Sequence, residues 1–227
     1  MGDIGKIYAW AFKIGNYEIV VNYMTIIWTW IVMAILIILA YLAGKGAKLV
    51  PVSRITLFFD WLIDGFRGIV FDTLGEELGR KYFGFIMTIF LFVMTSNVIG
   101  IIPGSVCPTQ DLNTTLGLGL LVFFVVHGSA IYYKGLWGYL KSYAEPFLLL
   151  LPLNVVGEIA KVISHSFRLF GNILGGSIII IVVGYLVKEW VLPIILNGFF
   201  GVFVGIVQAF VFAMLALVYL AVAIVED

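Results

Sequence analysis

Between Val191 and Val225 the chain carries no charged residue, and between Met24 and Gly44 it carries none either. A helix rises about 1.5 Å per residue and a bilayer core is about 30 Å thick, so roughly 20 apolar residues cross it. Met24–Gly44 meets that length. Val191–Val225 exceeds it, as does Phe147–Val187, and helices so long must tilt steeply, bend or lie partly in the membrane plane. Composition agrees with the runs: 63% of the residues are hydrophobic and 11% charged, whereas a soluble domain has about 25% charged. Mean hydropathy is +1.14. No soluble fold hides that much apolar surface, so the surrounding medium is a lipid bilayer.

The formal net charge is zero. With no basic block to neutralise phosphates, a nucleic-acid partner is excluded. Cys107 is the only cysteine and there are two histidines, so neither an internal disulfide nor a metal-ligand cluster is expected. The run from Met24 follows acidic as well as basic residues and has no small-residue cleavage site. It reads as an anchor rather than a signal peptide.

The expected architecture is an all-α membrane protein in one domain, 1–227, with about five membrane helices. After the span at 24–44, residues 53–82 mix Phe58, Trp61, Phe66 and Phe71 with Asp60, Asp64, Arg67, Arg80 and Lys81, the pattern of an amphipathic helix lying on the membrane surface. Residues 85–102 and 116–133 form a hairpin around a polar turn from Pro103 to Thr115. Residues 147–187 and 191–225 are the two long tilted helices. Lys45, Lys48, Arg54, Arg67, Arg80 and Lys81 crowd the first long loop, Lys134 and Lys141 sit in a later one, and Pro103–Thr115 has no basic residue. The positive-inside rule then makes the two basic loops cytoplasmic, with the N-terminus outside and the C-terminus, Glu226-Asp227, inside.

The stretch Pro152–Gly176 carries the chemistry. On a helix turning about 100° per residue, Asn154, Glu158, Lys161, Ser164, His165, Arg168, Asn172 and Gly175 share about one third of the circumference. Ile, Val, Leu and Phe cover the remainder. An arginine at membrane depth costs from about 3 to above 10 kcal/mol, so it normally faces a partner or a water-filled path. Snorkelling is hindered here, because no charge follows Arg168 until Lys188. Glu158 stands about 15 Å back along the axis, too far for direct pairing. Arginine does not lose its proton, so its role is that of a fixed cation attracting a carboxylate on another polypeptide. Gly198, Gly201, Gly205, Gln208 and Tyr219 keep to one face of the last helix, where small residues permit close approach of a second helix.

Ser166-Phe167-Arg168-Leu169-Phe170-Gly171-Asn172 resembles the signature of subunit a of the F-type rotary ATP synthases. Ser96-Asn97-Val98-Ile99-Gly100-Ile101-Ile102-Pro103, the turn Pro108–Thr115 and Gln208-Ala209-Phe210-Val211-Phe212 resemble further segments of that family in order and spacing. The resemblance covers Ser96 onward, and the earlier residues agree only in layout. It implies a non-catalytic stator subunit in a bacterial inner (plasma) membrane, beside a c-ring of carboxylate-bearing proteolipid subunits. The peripheral stalk subunit b and the rest of the complex are its other implied partners. Arg168 would separate two aqueous half-channels, with Asn154, Glu158, Lys161 and His165 toward the cytoplasm. Asn172, Ser177, Gly201 and Asp111 would lie toward the outside, and Gln208 of the last helix would also serve ion translocation. Gly171, Gly175, Gly198, Gly201 and Gly205 would pack against the ring or a neighbour. No cofactor is implied beyond the transported proton or sodium ion.

Three positions depart from the family pattern. Ser177 stands where many proton-driven relatives have glutamate, Gly201 where some have an ionisable group, and His165 where the residue is usually apolar or small. The external path then runs through water and Asp111, or the ion is sodium, toward which these departures lean. Other classes fit less well. A stand-alone channel or secondary transporter would bring an acidic vestibule and often an inverted repeat, and neither is found. An intramembrane hydrolase built on His127-Gly128-Ser129 lacks any Gly-x-Ser-x-Gly or His-Glu-x-x-His motif, so His127 is expected to be a packed or interfacial residue.

Overall fold

The computed structural model describes residues 9–14, 17–45, 54–102, 104–144, 150–187 and 191–225. Lys48, Pro103, Phe147, Lys188 and Glu226-Asp227, which entered the expectations above, lie outside the described residues. Strands β1 (Ala9–Ile14) and β2 (Tyr17–Asn22) pair antiparallel, with Ala9 opposite Asn22. Helices follow: α1 (Tyr23–Lys45), α2 (Arg54–Ile99), α3 (Leu112–Ala144), α4 (Leu151–Val187), α5 (Val191–Asn197) and α6 (Gly205–Ile224). A seven-residue π-helical stretch, Gly198–Val204, joins α5 to α6. Among the described residues the fold is all-α apart from the small hairpin, and five segments are long and apolar enough to cross a bilayer.

One boundary is corrected. A surface helix ending at Tyr82 is not set apart from the following span, because α2 runs from Arg54 to Ile99 and its non-helical residue is Gly75, at φ 78° and ψ 172°. Residues with side chains rarely adopt that conformation, and glycine has no Cβ to forbid it. The bend therefore falls at Gly75, while Glu76–Tyr82, Gly79 included, are helical and continue into the span. Gly135, at φ 72° and ψ 162°, bends α3 in the same way. Near that bend Lys81 Nζ donates to the Tyr133 hydroxyl at 2.9 Å and lies 4.6 Å from the Tyr132 ring, tying α2 to α3.

The core forms between α2 and α6. Phe66, Val70 and Leu74, ahead of the bend, are buried with Ile86, Phe90 and Val93 beyond it. The facing side chains come from α6: Ala209, Phe212, Ala213, Ala216, Leu217 and Leu220. Small alanines alternating with large residues let the helices approach closely. By contrast, only 11% of the apolar window of α4 is buried, against 50% for α2. Much of α4 thus presents apolar surface outward, and the polar lane runs along this helix.

Candidate functional site

Along α4 the polar lane resolves into three levels. At the first, Asn154, Glu158 and Lys161 line a cavity of about 380 Å³ together with His127 and Tyr139 of α3 and Tyr219 of α6. Lys161 Nζ donates to Glu158 Oε1 at 2.6 Å, and Glu158 Oε2 lies 3.8 Å from His127 Nε2. The expectation that Glu158 is too distant to pair with Arg168 stands, and its partner is Lys161, one turn on. His127 Nδ1 and the Tyr139 hydroxyl are 2.9 Å apart, and the Tyr139 and Tyr143 hydroxyls 3.0 Å apart. Asn154 Nδ2 donates to the Tyr143 carbonyl at 2.9 Å. Burial, and then the hydrogen bond to Tyr139, push the Tyr143 phenol well above its ordinary range, so it stays neutral.

At the middle level the side chains part. His165 turns inward and is 3% exposed, with its ring centroid 3.7 Å from that of Phe212 and 5.8 Å from that of Tyr219. Arg168, one turn further, is exposed. Among the described residues its guanidinium has no ion pair or hydrogen bond. Beneath it Leu169 and Phe212 are 0% and 1% exposed. Ser166, whose Oγ bonds to the Val162 carbonyl at 2.9 Å, is packed where Gly119 leaves no room for a Cβ.

At the third level Asn172 Nδ2 donates to Gln208 Oε1 at 2.7 Å, joining α4 to α6. Gln110 Nε2 donates to Ser177 Oγ, whose own hydroxyl bonds to the Ile173 carbonyl at 3.1 Å. A cavity of about 30 Å³ lies among Asn97, Gln110, Ser177, Asn197 and Gly201. Asn97 is held from both sides, accepting from Thr109 Oγ1 and donating to the Gly205 carbonyl at 2.8 Å. All the polar side chains lining this cavity are neutral.

Two expectations shift here. Asp111 does not line the outer cavity; its Oδ1 accepts from the Asn113 backbone N–H at 3.0 Å and caps α3. Its neighbour Gln110 is the residue that reaches Ser177. Gly201 and Gly205 pack within the chain rather than against a neighbour: a Cβ on Gly201 would meet Ile101 at 2.5 Å, and one on Gly205 would meet Asn97 at 3.0 Å. Gly171, Gly175 and Gly198 have nothing within 4 Å of such a Cβ and remain open. The break between α5 and α6 also re-aims the face expected to be continuous, since the Gly205 N–H reaches back to the Phe200 carbonyl as in a π-helix.

Sequence reasoning took His127 as a packed or interfacial residue and gave no site role to Tyr139, Asn97, Gln110 or Asn197. The available signal was polar side chains inside or beside apolar runs, but their convergence on Glu158 and Ser177 depends on how α3 and α2 cross α4.

Residues 26–221 match the family model described as ATP synthase A chain. The chain belongs to that family. It is 37% identical over 210 residues to "ATP synthase subunit a 2" of Picosynechococcus sp., covering 91% of this chain and 88% of that protein. It is 38% identical over 200 residues to "ATP synthase subunit a" of Geotalea daltonii, covering 86% and 85%. As an ATP synthase subunit a, the chain is a non-catalytic, multi-pass membrane subunit that serves ion transport.

Proposed function

We propose that this chain is the ion-translocating stator of its ATP synthase, with Arg168 facing a rotating c-ring whose subunits each carry an ion-binding carboxylate. The observation that carries this reading is the pair of polar cavities near opposite ends of α4, lined by sets of residues with no member in common. Arg168 lies between them, about 15 Å along the axis from Glu158 and about 14 Å from Ser177. An ion enters on the Ser177, Asn172 and Gly201 side and binds a ring carboxylate. It rides nearly a full turn and leaves past His165, Lys161, Glu158 and Asn154. The permanently charged guanidinium pairs with each emptied carboxylate and bars direct passage between the two paths. Each charge crossing releases about 2.3 kcal/mol per 100 mV, so several are summed for each ATP made on the soluble head.

The exposed lane of α4 is the surface offered to the ring, and Gly171 and Gly175 allow it to come close. The peripheral stalk subunit b and the remaining subunits hold the stator still. The cargo is a proton or a sodium ion. The protein sits in a bacterial inner membrane with its N-terminus outside. The α2 segment ahead of Gly75 lies along the cytoplasmic surface, and the two last membrane segments tilt.

Sidedness of the two cavities tests the reading. In the assembled complex, carrying Cys107→Ser, Glu158→Cys is expected to react with an impermeant thiol reagent from the cytoplasmic side alone. Ser177→Cys is expected to react from the outer side alone. Labelling of both from one side would overturn the proposal.

A further inference from the structure

We infer that His165 is a proton-relay residue, joined to the inner cavity through a single bound water. This rests on the proposed half-channel reading and assigns a step within it. The His165 imidazole is 3% exposed, and among the described residues neither of its ring nitrogens has a hydrogen-bond partner. A neutral imidazole offers one N–H and one lone pair, and leaving both unmet in an apolar interior is costly. The ring borders a gap of about 20 Å³, which it shares with Glu158, Lys161, His127 and Tyr219. A gap of that size holds about one water. The same four residues line the 380 Å³ cavity, so the gap is a short neck between that cavity and the imidazole.

The rest of the packing shows why the ring is placed for transfer rather than for filling space alone. The ring packs against Phe212 at 3.7 Å between centroids, tilted by 43°, and it also lines the one-water gap. Arg168 follows one turn later on the same helix face. The charged and titratable groups around His165 are Arg168, Lys161 and Glu158 on α4, His127 on α3 and Tyr219 on α6. In the relay, a proton released on the Arg168 side bonds to the free ring nitrogen. The proton on the other nitrogen leaves to the water, and the water passes one on to the Glu158 carboxylate. One proton enters and one leaves, and the ring returns to neutrality. An imidazole has no comparable use for sodium, so this assignment opposes the lean toward sodium that Ser177 and Gly201 suggest.

The test is passive proton flux through the intact membrane sector, measured with a trapped pH dye in liposomes without added sodium. His165→Ala is expected to lower the flux at least about tenfold, on the low side of what a positioned acid–base group contributes, and added imidazole is expected to restore it. His165→Phe keeps a ring but no transferable proton, and is expected to lose flux with no rescue. Wild-type flux in His165→Phe, or loss in His165→Ala that imidazole does not restore, would overturn the relay. Arg168→Ala in the whole complex, reconstituted with its soluble head, separates the two claims. If it leaves ion-driven synthesis intact, the half-channel reading fails. If it abolishes synthesis while the histidine variants conduct normally, only the relay fails.

Discussion

Asn172 on α4 and Gln208 on α6, 36 positions apart, share a hydrogen bond of 2.7 Å just beyond Arg168. Among the described residues it is the side-chain hydrogen bond that joins these two helices. Gln208 is 5% exposed, and among the described residues its buried Nε2 has no hydrogen-bond partner.

Removing that amide should impair coupling without abolishing it. A neutral hydrogen bond contributes about 0.5–1.5 kcal/mol net, so Gln208→Leu is expected to slow ATP synthesis by roughly 2- to 10-fold, with about 1.4 kcal/mol per decade. Asn172→Leu should add little to the loss in the double variant, because both remove one bond. Rates in energised membrane vesicles test this, and wild-type turnover in Gln208→Leu would reduce the pair to packing.

The glycines divide into two groups that mutagenesis separates. Gly201→Val crowds Ile101, where even a Cβ would stand 2.5 Å away, and overpacking costs about 1–3 kcal/mol. A lower unfolding temperature in detergent is expected, partly restored by Ile101→Ala. At Gly171 an added Cβ has nothing within 4 Å, and Gly171→Val is the contrasting variant. Its isolated stability should be unchanged, while rotation-dependent ATP hydrolysis by the complex falls.

Gly75 sits at φ 78° and ψ 172°, a region almost confined to glycine whose occupation by other residues costs about 1–3 kcal/mol. Gly75→Ala should lower the thermal midpoint of the purified subunit, whereas Gly84→Ala, helical and with nothing within 4 Å of the new Cβ, should not. Equal effects at the two positions would contradict the bend.

Glu158 forms a half-exposed pair with Lys161 at 2.6 Å, and such pairs contribute about 0–1 kcal/mol to stability. Glu158→Gln should therefore assemble normally yet conduct ions more slowly. A matched loss of assembly and conduction would make the pair structural.

What could be read from the chain alone was whatever follows from one helix at a time. The lane holding Glu158, Lys161, His165, Arg168 and Asn172 is a matter of periodicity, and the long apolar runs fix the helices by length. The π-helical stretch could not be seen, because Gly198–Val204 has the composition of an ordinary membrane helix and its geometry reflects the packing of Gly201 and Gly205 on Ile101 and Asn97. The pairings of His127 with Glu158 and of Gln110 with Ser177 were not legible for the same reason: each joins α4 to another part of the chain. The lane itself misled at one point, since His165 and Arg168 share a face by angle yet one is buried and the other exposed.

The most direct measurement of the central claim is ion-driven ATP synthesis by the reconstituted complex carrying Arg168→Ala, with subunit content and passive ion leak determined on the same preparation. The account predicts a fully assembled complex that makes no ATP and leaks the coupling ion between the two paths. Synthesis near the wild-type rate, with no added leak, would contradict it.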